Sequence, residues 1–244
     1  MHCRGKIARI VAVALFLGAT GCGAAQAWAG GDAAGETAAA PATLPIPIPV
    51  LPLEPPAPPA PPPPPRQFVA PAAPTGFQMT GPAFDIKANV CQMENVRPLN
   101  PPGDQKRTVC WVREGFGVPP GSDSGGTSYI LGHAWAKTPL VFNPLSELAM
   151  REFTGENPEM QSGVPTYPTQ ALNGYNIVLR TPNGTLTYTV TRTFAVAKSK
   201  AADVESLMAN TPNRVVLITC AVKDGVDLDY NVIVDAFLTS STAA

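Results

Sequence analysis

The sequence lacks several features that would point to common functional classes. Its charges balance, with 17 Lys and Arg against 18 Asp and Glu and a formal net charge of -1. This balance argues against a nucleic-acid-binding protein, which would normally be basic. No apolar run reaches the roughly 18 residues of a conventional transmembrane helix. There are only two histidines and no Cys-X-X-Cys pair, so a zinc site is disfavoured.

The first 27 residues are predicted to be an export signal or a lipoprotein signal. Basic residues precede a short apolar segment, residues 10–17, which suits a secretory signal but is too short to span a bilayer comfortably. Ala19-Thr-Gly-Cys22 resembles a lipobox and makes Cys22 a candidate lipidation site. The alternatives are cleavage after Ala27 or Ala29 without lipidation, or retention as an anchor. Each alternative places the rest of the chain outside the cytoplasm, either anchored to the membrane or secreted.

Residues 28–77 are predicted to be a disordered, proline-rich linker. More than half of the 29 prolines lie between residues 41 and 75, and Pro61–Pro65 is an unbroken run. Proline donates no backbone hydrogen bond and keeps the chain extended, so this segment cannot build a core. As a semi-rigid spacer it would reach on the order of 100 Å and could hold a domain away from a membrane. A disordered tail without a task and a ligand for a proline-binding module are the alternatives.

Residues 78–240 are predicted to form one mainly β domain. Alternating, β-branched or short apolar segments predict strands, and Asn183-Gly184 predicts a hairpin turn because this pair accepts positive φ. Short helices are expected at 144–151 and 202–209. Many short strands between Gly and Pro turns are typical of a sandwich or a barrel. The predicted strands are 128–131, 173–180, 185–196, 214–219 and 231–238.

Once a signal is removed, the domain would keep one histidine, His133, and three cysteines. Outside the cytoplasm thiols tend to pair, and Cys91 and Cys110 lie in two apparent strands joined by a loop rich in Pro and Gly. We therefore predict a structural Cys91–Cys110 disulfide, which leaves Cys220 as a thiol. Cys220 and His133 each follow a predicted strand, where a rigid core can present a side chain to a cleft. A buried, inert cysteine and an ordinary surface histidine are the alternatives.

Around these residues the chain resembles the sortases, the cysteine transpeptidases of the Gram-positive cell envelope. Leu217-Ile-Thr-Cys220 is similar to the family's Thr-Leu-X-Thr-Cys signature, although Val216 replaces the first Thr. Tyr129-Ile-Leu-Gly-His133 is similar to the strand that ends in Gly-His. The stretches before and after that histidine, 101–121 and 142–148, are similar as well. The resemblance covers essentially the whole domain and is strongest for the actinobacterial class E and F sortases, which have an N-terminal anchor and a long linker.

The resemblance implies a fold and a reaction. The fold is a closed, mixed β-barrel with one or two short helices and a substrate groove. Cys220 would attack the carbonyl carbon after Thr in a Leu-Pro-X-Thr-Gly-type sorting signal of a surface protein, and His133 would protonate the leaving amine. The thioacyl intermediate would pass to an amine acceptor such as a cell-wall precursor. This chemistry requires no metal or organic cofactor.

One position departs from the family pattern. Asn231 stands where the resemblance places an arginine that stabilises the oxyanion or holds the substrate. A neutral amide forms weaker hydrogen bonds than a charged group. Three alternatives follow: Asn231 is a weaker substitute, Arg192 or Arg214 reaches the site, or the domain is a poor catalyst.

Other functional classes remain as rivals to an active transpeptidase. The main one is a sortase-like domain that is catalytically weak or inactive and serves as a surface binding module. An L,D-transpeptidase is disfavoured because its Ser-His-Gly-Cys motif is absent. The last alternative is a structural lipoprotein in which all of the sortase-like motifs occur by chance, and it fails if Cys220 and His133 prove adjacent.

Overall fold

The computed structural model describes residues 66–244 apart from Pro98 and Glu114. The predicted signal at 1–27, the candidate lipidation site Cys22 and most of the predicted 28–77 linker therefore lie outside the described residues. Across this described range, no helix combines the length and the apolar character that a membrane span requires.

The described chain consists mainly of β-strands, with two α-helices and one 3-10 helix within its range. Short strands come first, and the longest strands, which cross the domain, lie near the C-terminus. The elements are β1 (Gly76–Thr80), β2 (Asp85–Met93), β3 (Thr108–Val112), β4 (Thr127–Leu131), α1 (Asn143–Met150), β5 (Glu159–Gln161), β6 (Val164–Thr169), β7 (Asn176–Thr181), β8 (Gly184–Ala197), a 3-10 helix (Lys198–Asp203), α2 (Glu205–Met208), β9 (Arg214–Lys223) and β10 (Val226–Ala243).

Eight of these strands form a closed barrel, in the order β10-β9-β4-β3-β2-β1-β7-β8, and β10 pairs with β8 to close it. The barrel is mixed because β2 pairs parallel with β3 and β4 pairs parallel with β9, whereas the other pairs are antiparallel. Strands β6 and β5 extend the sheet from the second half of β8. The prediction of a mainly β, closed mixed barrel is confirmed.

Most local predictions agree with the observed elements. The predicted hairpin turn joins β7 to β8, with Thr181 paired to Gly184, and Gly184 has a φ of 149° that L-residues rarely adopt. The predicted helix at 144–151 corresponds to α1 within one residue. The predicted helix at 202–209 is wrong in part, because Val204 is extended and separates the 3-10 helix from a four-residue α2. The Val204 side chain is buried, which explains why the chain interrupts the helix there.

Alternation along the strands divides the apolar side chains between the barrel interior and an outer face. All eight barrel strands contribute to the interior, with side chains such as Phe77, Ile130 and Leu217. A second cluster lies on the outside of β3, β4, β9, β10 and β8, where Leu207 of α2 covers it. We call this side of the sheet the outer face. Its buried members are Met93, Cys110, Val112, Tyr129, Leu131, Val164, Phe194, Val196, Val204, Leu207, Val216, Ile218 and Ile233.

The residues before β1 are bound to the barrel. The backbone N–H of Gln67 donates to the Ser241 carbonyl at 3.0 Å, and the N–H of Val69 donates to the Ser122 hydroxyl at 2.8 Å. The Val69 side chain is buried in the interior cluster. Strand β1 begins at Gly76 and β10 ends at Ala243, so ordered structure extends on both sides of the predicted 78–240 range.

Candidate active site

The structure pairs Cys220 with Asn231 and places His133 just past the end of the strand next to β9. Cys220 in β9 is the direct register partner of Asn231 in β10. On the other side of β9, Leu131 of β4 is level with Ile218, and the Gly132 N–H donates to the Ile218 carbonyl at 3.2 Å. His133 follows Leu131 by two residues, as Cys220 follows Ile218, but β4 ends at Leu131. Strand alternation places Cys220 and Asn231 on the outer face.

Cys220 is completely buried and takes no part in the disulfide. Its backbone is fixed by Ser146 of α1, whose hydroxyl donates to the Cys220 carbonyl at 2.9 Å and accepts the Val222 N–H at 2.8 Å. Strand β4 ends before this point, so a helix side chain satisfies the backbone groups that a neighbouring strand would otherwise bind.

The contact with Ser146 also defines how Cys220 and Asn231 pair. Because the Cys220 carbonyl points towards α1, it points away from β10. Cys220 and Asn231 therefore form a non-hydrogen-bonded pair, in which the Cα atoms are about 4.5 Å apart and the side chains approach most closely. Asn231 is partly exposed, so its amide can contact both the cysteine and a ligand.

His133 is buried, with 8% of its surface exposed. Its Nε2 atom lies 3.2 Å from the carbonyl oxygen of Pro101, and its own carbonyl accepts the Phe142 N–H at 2.9 Å. A carbonyl can only accept, so Nε2 carries a hydrogen and Nδ1 has the lone pair when the ring is neutral. Burial lowers the pKa of His133, and the hydrogen bond to Pro101 opposes that shift in part.

The predicted Cys91–Cys110 disulfide is confirmed, with Cα atoms 4.4 Å apart. The two cysteines are register partners in the parallel pair of β2 and β3, and Cys110 lies opposite Leu131 in β4. The bridge closes the loop that carries Pro101. The loop is also held near His133 by a hydrogen bond from the Val141 N–H to the Gln105 carbonyl, at 3.0 Å. The disulfide therefore does more than brace the barrel, because it fixes the loop that contacts the histidine.

The structure does not place either alternative arginine at Cys220. Arg192 donates to Asp235 at 2.8 Å through Nε, and Arg214 donates to the other oxygen of the same carboxylate at 3.1 Å. Asp235 lies four residues from Asn231 along β10, which is about 13 Å in a strand. Both guanidinium groups are bound at that distance, and the sequence-based alternative that one of them reaches the site is wrong.

A cavity of about 260 Å³ opens on the outer face beside Asn231. Apolar side chains form most of its wall, and its polar members come from three separate segments of the chain. The residues that line it are Arg97, Leu99, Phe116, Leu131, Lys198, Ala201, Ala202, Leu207, Met208, Ile218 and Asn231. The cavity could take an extended peptide with apolar side chains beside Asn231.

Sequence reasoning assigned no role to Pro101, Ser146 or Asp235, which contact His133, the Cys220 backbone and the two arginines respectively. The first two act through contacts between distant segments, which no local pattern reveals. Asp235 does carry a signal, because a lone carboxylate within an apolar strand requires a cationic partner when it is buried. Among the described residues, no group of three His, Cys, Asp or Glu side chains could hold a metal ion.

Comparison with known proteins identifies the family. Several solved sortase structures are similar to this chain. Sortase A of Listeria monocytogenes has 18% identity and a TM-score of 0.43, covering 71% of this chain and 92% of that one. The catalytic domain of SrtD from B. anthracis has 18% identity and a TM-score of 0.40, covering 73% of this chain and 96% of that one. Sortase C-1 of Actinomyces oris has 15% identity and a TM-score of 0.42, covering 66% of this chain and 72% of that one.

No curated protein sequence matches this chain. Residues 79–239, about two thirds of the chain, match the family model described as the Sortase domain. This range includes Cys220, His133 and Asn231. The chain therefore belongs to the sortase family, whose members are cysteine transpeptidases.

Proposed function

We propose that this sortase domain transfers an acyl group from a Leu-Pro-X-Thr-Gly-type sorting signal to an amine at the cell envelope. In the first half of the reaction, the Cys220 sulfur attacks the backbone carbonyl carbon of the Thr in the sorting signal. A C–S bond forms and the C–N bond to Gly breaks, while His133 takes the thiol proton of Cys220 and gives it to the leaving amine. The product is a thioacyl enzyme and a released C-terminal peptide.

In the second half, an amine acceptor such as a cell-wall precursor attacks the thioacyl carbon. A C–N bond forms, the C–S bond breaks with return of the sulfur to Cys220, and His133 accepts the proton of the attacking amine. Water is the slow alternative acceptor and gives hydrolysis. Asn231, at the position of the family's arginine, donates a neutral hydrogen bond to the carbonyl oxygen as charge develops on it.

The single observation that supports this proposal best is the register pair of Cys220 and Asn231, with His133 just past the end of the strand next to β9. The three residues come from sequence positions up to 98 residues apart. The proposal requires the thiol beside the imidazole, whose Nδ1 has a lone pair when the ring is neutral. A nucleophile beside a base is the arrangement that acyl transfer requires.

We further propose an extracytoplasmic location at a Gram-positive-type envelope, with attachment to the membrane through the N-terminal segment. The Cys91–Cys110 disulfide supports this location, because such bridges persist in oxidising compartments. The partners are then surface proteins with C-terminal sorting signals. Assignment to class E or F stays a prediction.

A second candidate, a weak or inactive sortase-like binding domain, is favoured by two observations. Cys220 is completely buried, so the sulfur has to become exposed before it can react, and Asn231 lacks the charge of arginine. The two candidates differ in the reactivity of Cys220. Alkylation of Cys220 faster than a model thiol at the same pH supports the enzyme, and slower alkylation supports the binding domain.

The direct test is a mass shift on Cys220 after incubation with sorting-signal peptides. We expect the mass of the acyl fragment to be added to Cys220, with release of the C-terminal fragment. Cys220→Ala is the control, because the remaining cysteines of the described domain are joined in the disulfide. A folded Cys220→Ala variant that still cleaves the peptide would remove Cys220 as the nucleophile.

A further inference from the structure

Positively charged side chains line the cavity beside Asn231, although Asn231 itself is neutral. Two cationic side chains line it, Lys198 and Arg97, and no acidic side chain is present among its described lining residues. A partly apolar wall with two cationic side chains favours a ligand with negative or carbonyl oxygen atoms. A peptide whose carbonyl oxygen becomes an oxyanion during acyl transfer is a ligand of this kind.

Lys198 is held next to the strand that carries Asn231. It follows Ala197, the last residue of β8, and Val196 is the register partner of Asn231. Only 16% of the Lys198 side chain is exposed. Its Nζ atom donates to the Leu228 carbonyl at 3.0 Å and lies 4.0 Å from Asp229, a carboxylate that is 88% exposed. The ammonium is therefore fixed on the Asn231 side of Cys220, opposite His133.

Arg97 is placed differently. It is exposed and belongs to the loop closed by the Cys91–Cys110 disulfide, which also carries Pro101. A charge that stabilises the oxyanion has to lie across the cysteine from the group that transfers protons to the leaving amine. Lys198 meets this condition, because β8 lies next to β10 and on the far side of it from β9.

We propose that Lys198 supplies the positive charge that the site lacks at Asn231, and that its ammonium binds the carbonyl oxygen of the sorting peptide together with the Asn231 amide. This inference rests on the proposed acyl transfer by Cys220. An ammonium has three donors, so the hydrogen bond to Leu228 leaves others for a ligand. A hydrogen bond from a charged donor is roughly twice as strong as one from a neutral donor.

The variant that tests this proposal is Lys198→Met, which keeps the length of the side chain and removes the charge. We expect the rate of thioacyl formation to fall by about 10²-fold with a much smaller change in KM, because the charge acts mainly on the transition state. Lys198→Arg keeps the charge and should recover most of the rate. Lys200→Met is the matched control, since Lys200 lies on the same 3-10 helix but is exposed and paired with Asp203.

Two outcomes of these measurements would overturn the proposal. One is a Lys198→Met rate within threefold of the wild-type rate. The other is a loss that follows Arg97→Met instead of Lys198→Met, because the charge would then come from the loop.

A second measurement separates this proposal from the transpeptidase proposal, because it needs no sorting peptide. Iodoacetate and iodoacetamide both alkylate a thiolate, but only iodoacetate is an anion. With Lys198 near Cys220, the ratio of the iodoacetate rate to the iodoacetamide rate should fall severalfold in Lys198→Met and stay constant in Lys200→Met. An unchanged ratio in Lys198→Met contradicts the role of Lys198. A changed ratio in a protein that forms no thioacyl enzyme contradicts the transpeptidase proposal alone.

Discussion

Asn231 and Cys220 face each other across the antiparallel pair of β9 and β10, and the Cys220 carbonyl is bound by Ser146 on the opposite side. This geometry makes them a close side-chain pair. It also means that any residue at position 231 lies beside the sulfur. The chemical character of position 231 should therefore act directly on the reaction at Cys220.

Replacing Asn231 with arginine should preserve or raise the activity. A guanidinium at this position would donate charge-assisted hydrogen bonds to the carbonyl oxygen, so we expect kcat/KM for a sorting peptide to stay equal or rise by up to about 10-fold. Asn231→Gln, which lengthens the side chain without adding charge, is the control and should show no increase. A severe loss in Asn231→Arg would mean that the asparagine has a specific role of its own.

Removal of the disulfide should lower both the stability and the rate. The two cysteines are 19 residues apart, and closing a loop of that size contributes about 3 kcal/mol in the chain-entropy model. In Cys91→Ala/Cys110→Ala, the urea midpoint should fall accordingly. The loop with Pro101 would also hold His133 less firmly, and a small misplacement of a catalytic group can lower the rate by up to about 10²-fold.

A separate readout distinguishes the effect on the histidine from a general loss of stability. If the loop moves away from the ring, the His133 pKa should change, because the hydrogen bond to Pro101 that raises it is lost and the burial that lowers it is relieved. NMR titration would detect this change. An unaltered His133 pKa in the folded double variant would show that the loop does not need the bridge to keep its position.

The pKa of His133 predicts how stability depends on pH. Burial lowers the pKa of the folded-state ring below the ordinary value of 6.5, so the unfolded chain binds the proton more readily. The stabilising contribution is complete above about pH 6.5 and is lost as the pH falls towards the lower folded-state pKa. Urea unfolding at pH 7.5 and pH 5.5 should show this loss, and His133→Gln should reduce it. Equal pH dependence in both proteins would contradict the assignment.

Asp235→Asn should destabilise the barrel strongly. The carboxylate binds both Arg192 and Arg214, and only 3% of the Arg214 side chain is exposed. Removing one partner of a buried ion pair leaves an uncompensated charge and costs about 3–5 kcal/mol. Asp203→Asn, which breaks an exposed pair with Lys200, is the control and should change the free energy of unfolding by less than about 1 kcal/mol. Similar unfolding midpoints for the two variants would argue against the buried network.

The strands were predictable because alternation and β-branched residues are local signals. The predicted segments 128–131, 214–219 and 231–238 are apolar and lie within β4, β9 and β10, although β9 and β10 extend well beyond them. The closed order of the strands came from the resemblance to sortases, since no local pattern reveals which strand closes the barrel. The helix expected at 202–209 had plausible helical spacing, but Val204 buries its side chain in the outer cluster and is extended instead.

The residues of the candidate site were predictable from local strand signals and the sortase-like motifs, but their contacts with distant segments were not. The sequence predicts that Cys220 and His133 each follow a strand. His133 does follow β4 by two residues, but β9 continues past Cys220 to Lys223, and Asn231 lies in the next strand. The hydrogen bond from His133 to Pro101 was not predictable, because 32 residues separate them and a disulfide brings the loop back. The joint binding of two arginines by Asp235 likewise depends on three strands that meet only in the closed barrel.

The segment before β1 determines where the domain can be shortened. Gln67 and Val69 bind the last strand and the β3–β4 connection, so both ends of the folded unit are joined along one seam. A polypeptide that starts at residue 78 would lose the Val69 side chain from the interior and expose the edge of β10 near Ser241. Recombinant versions that begin upstream of residue 66 keep this seam intact.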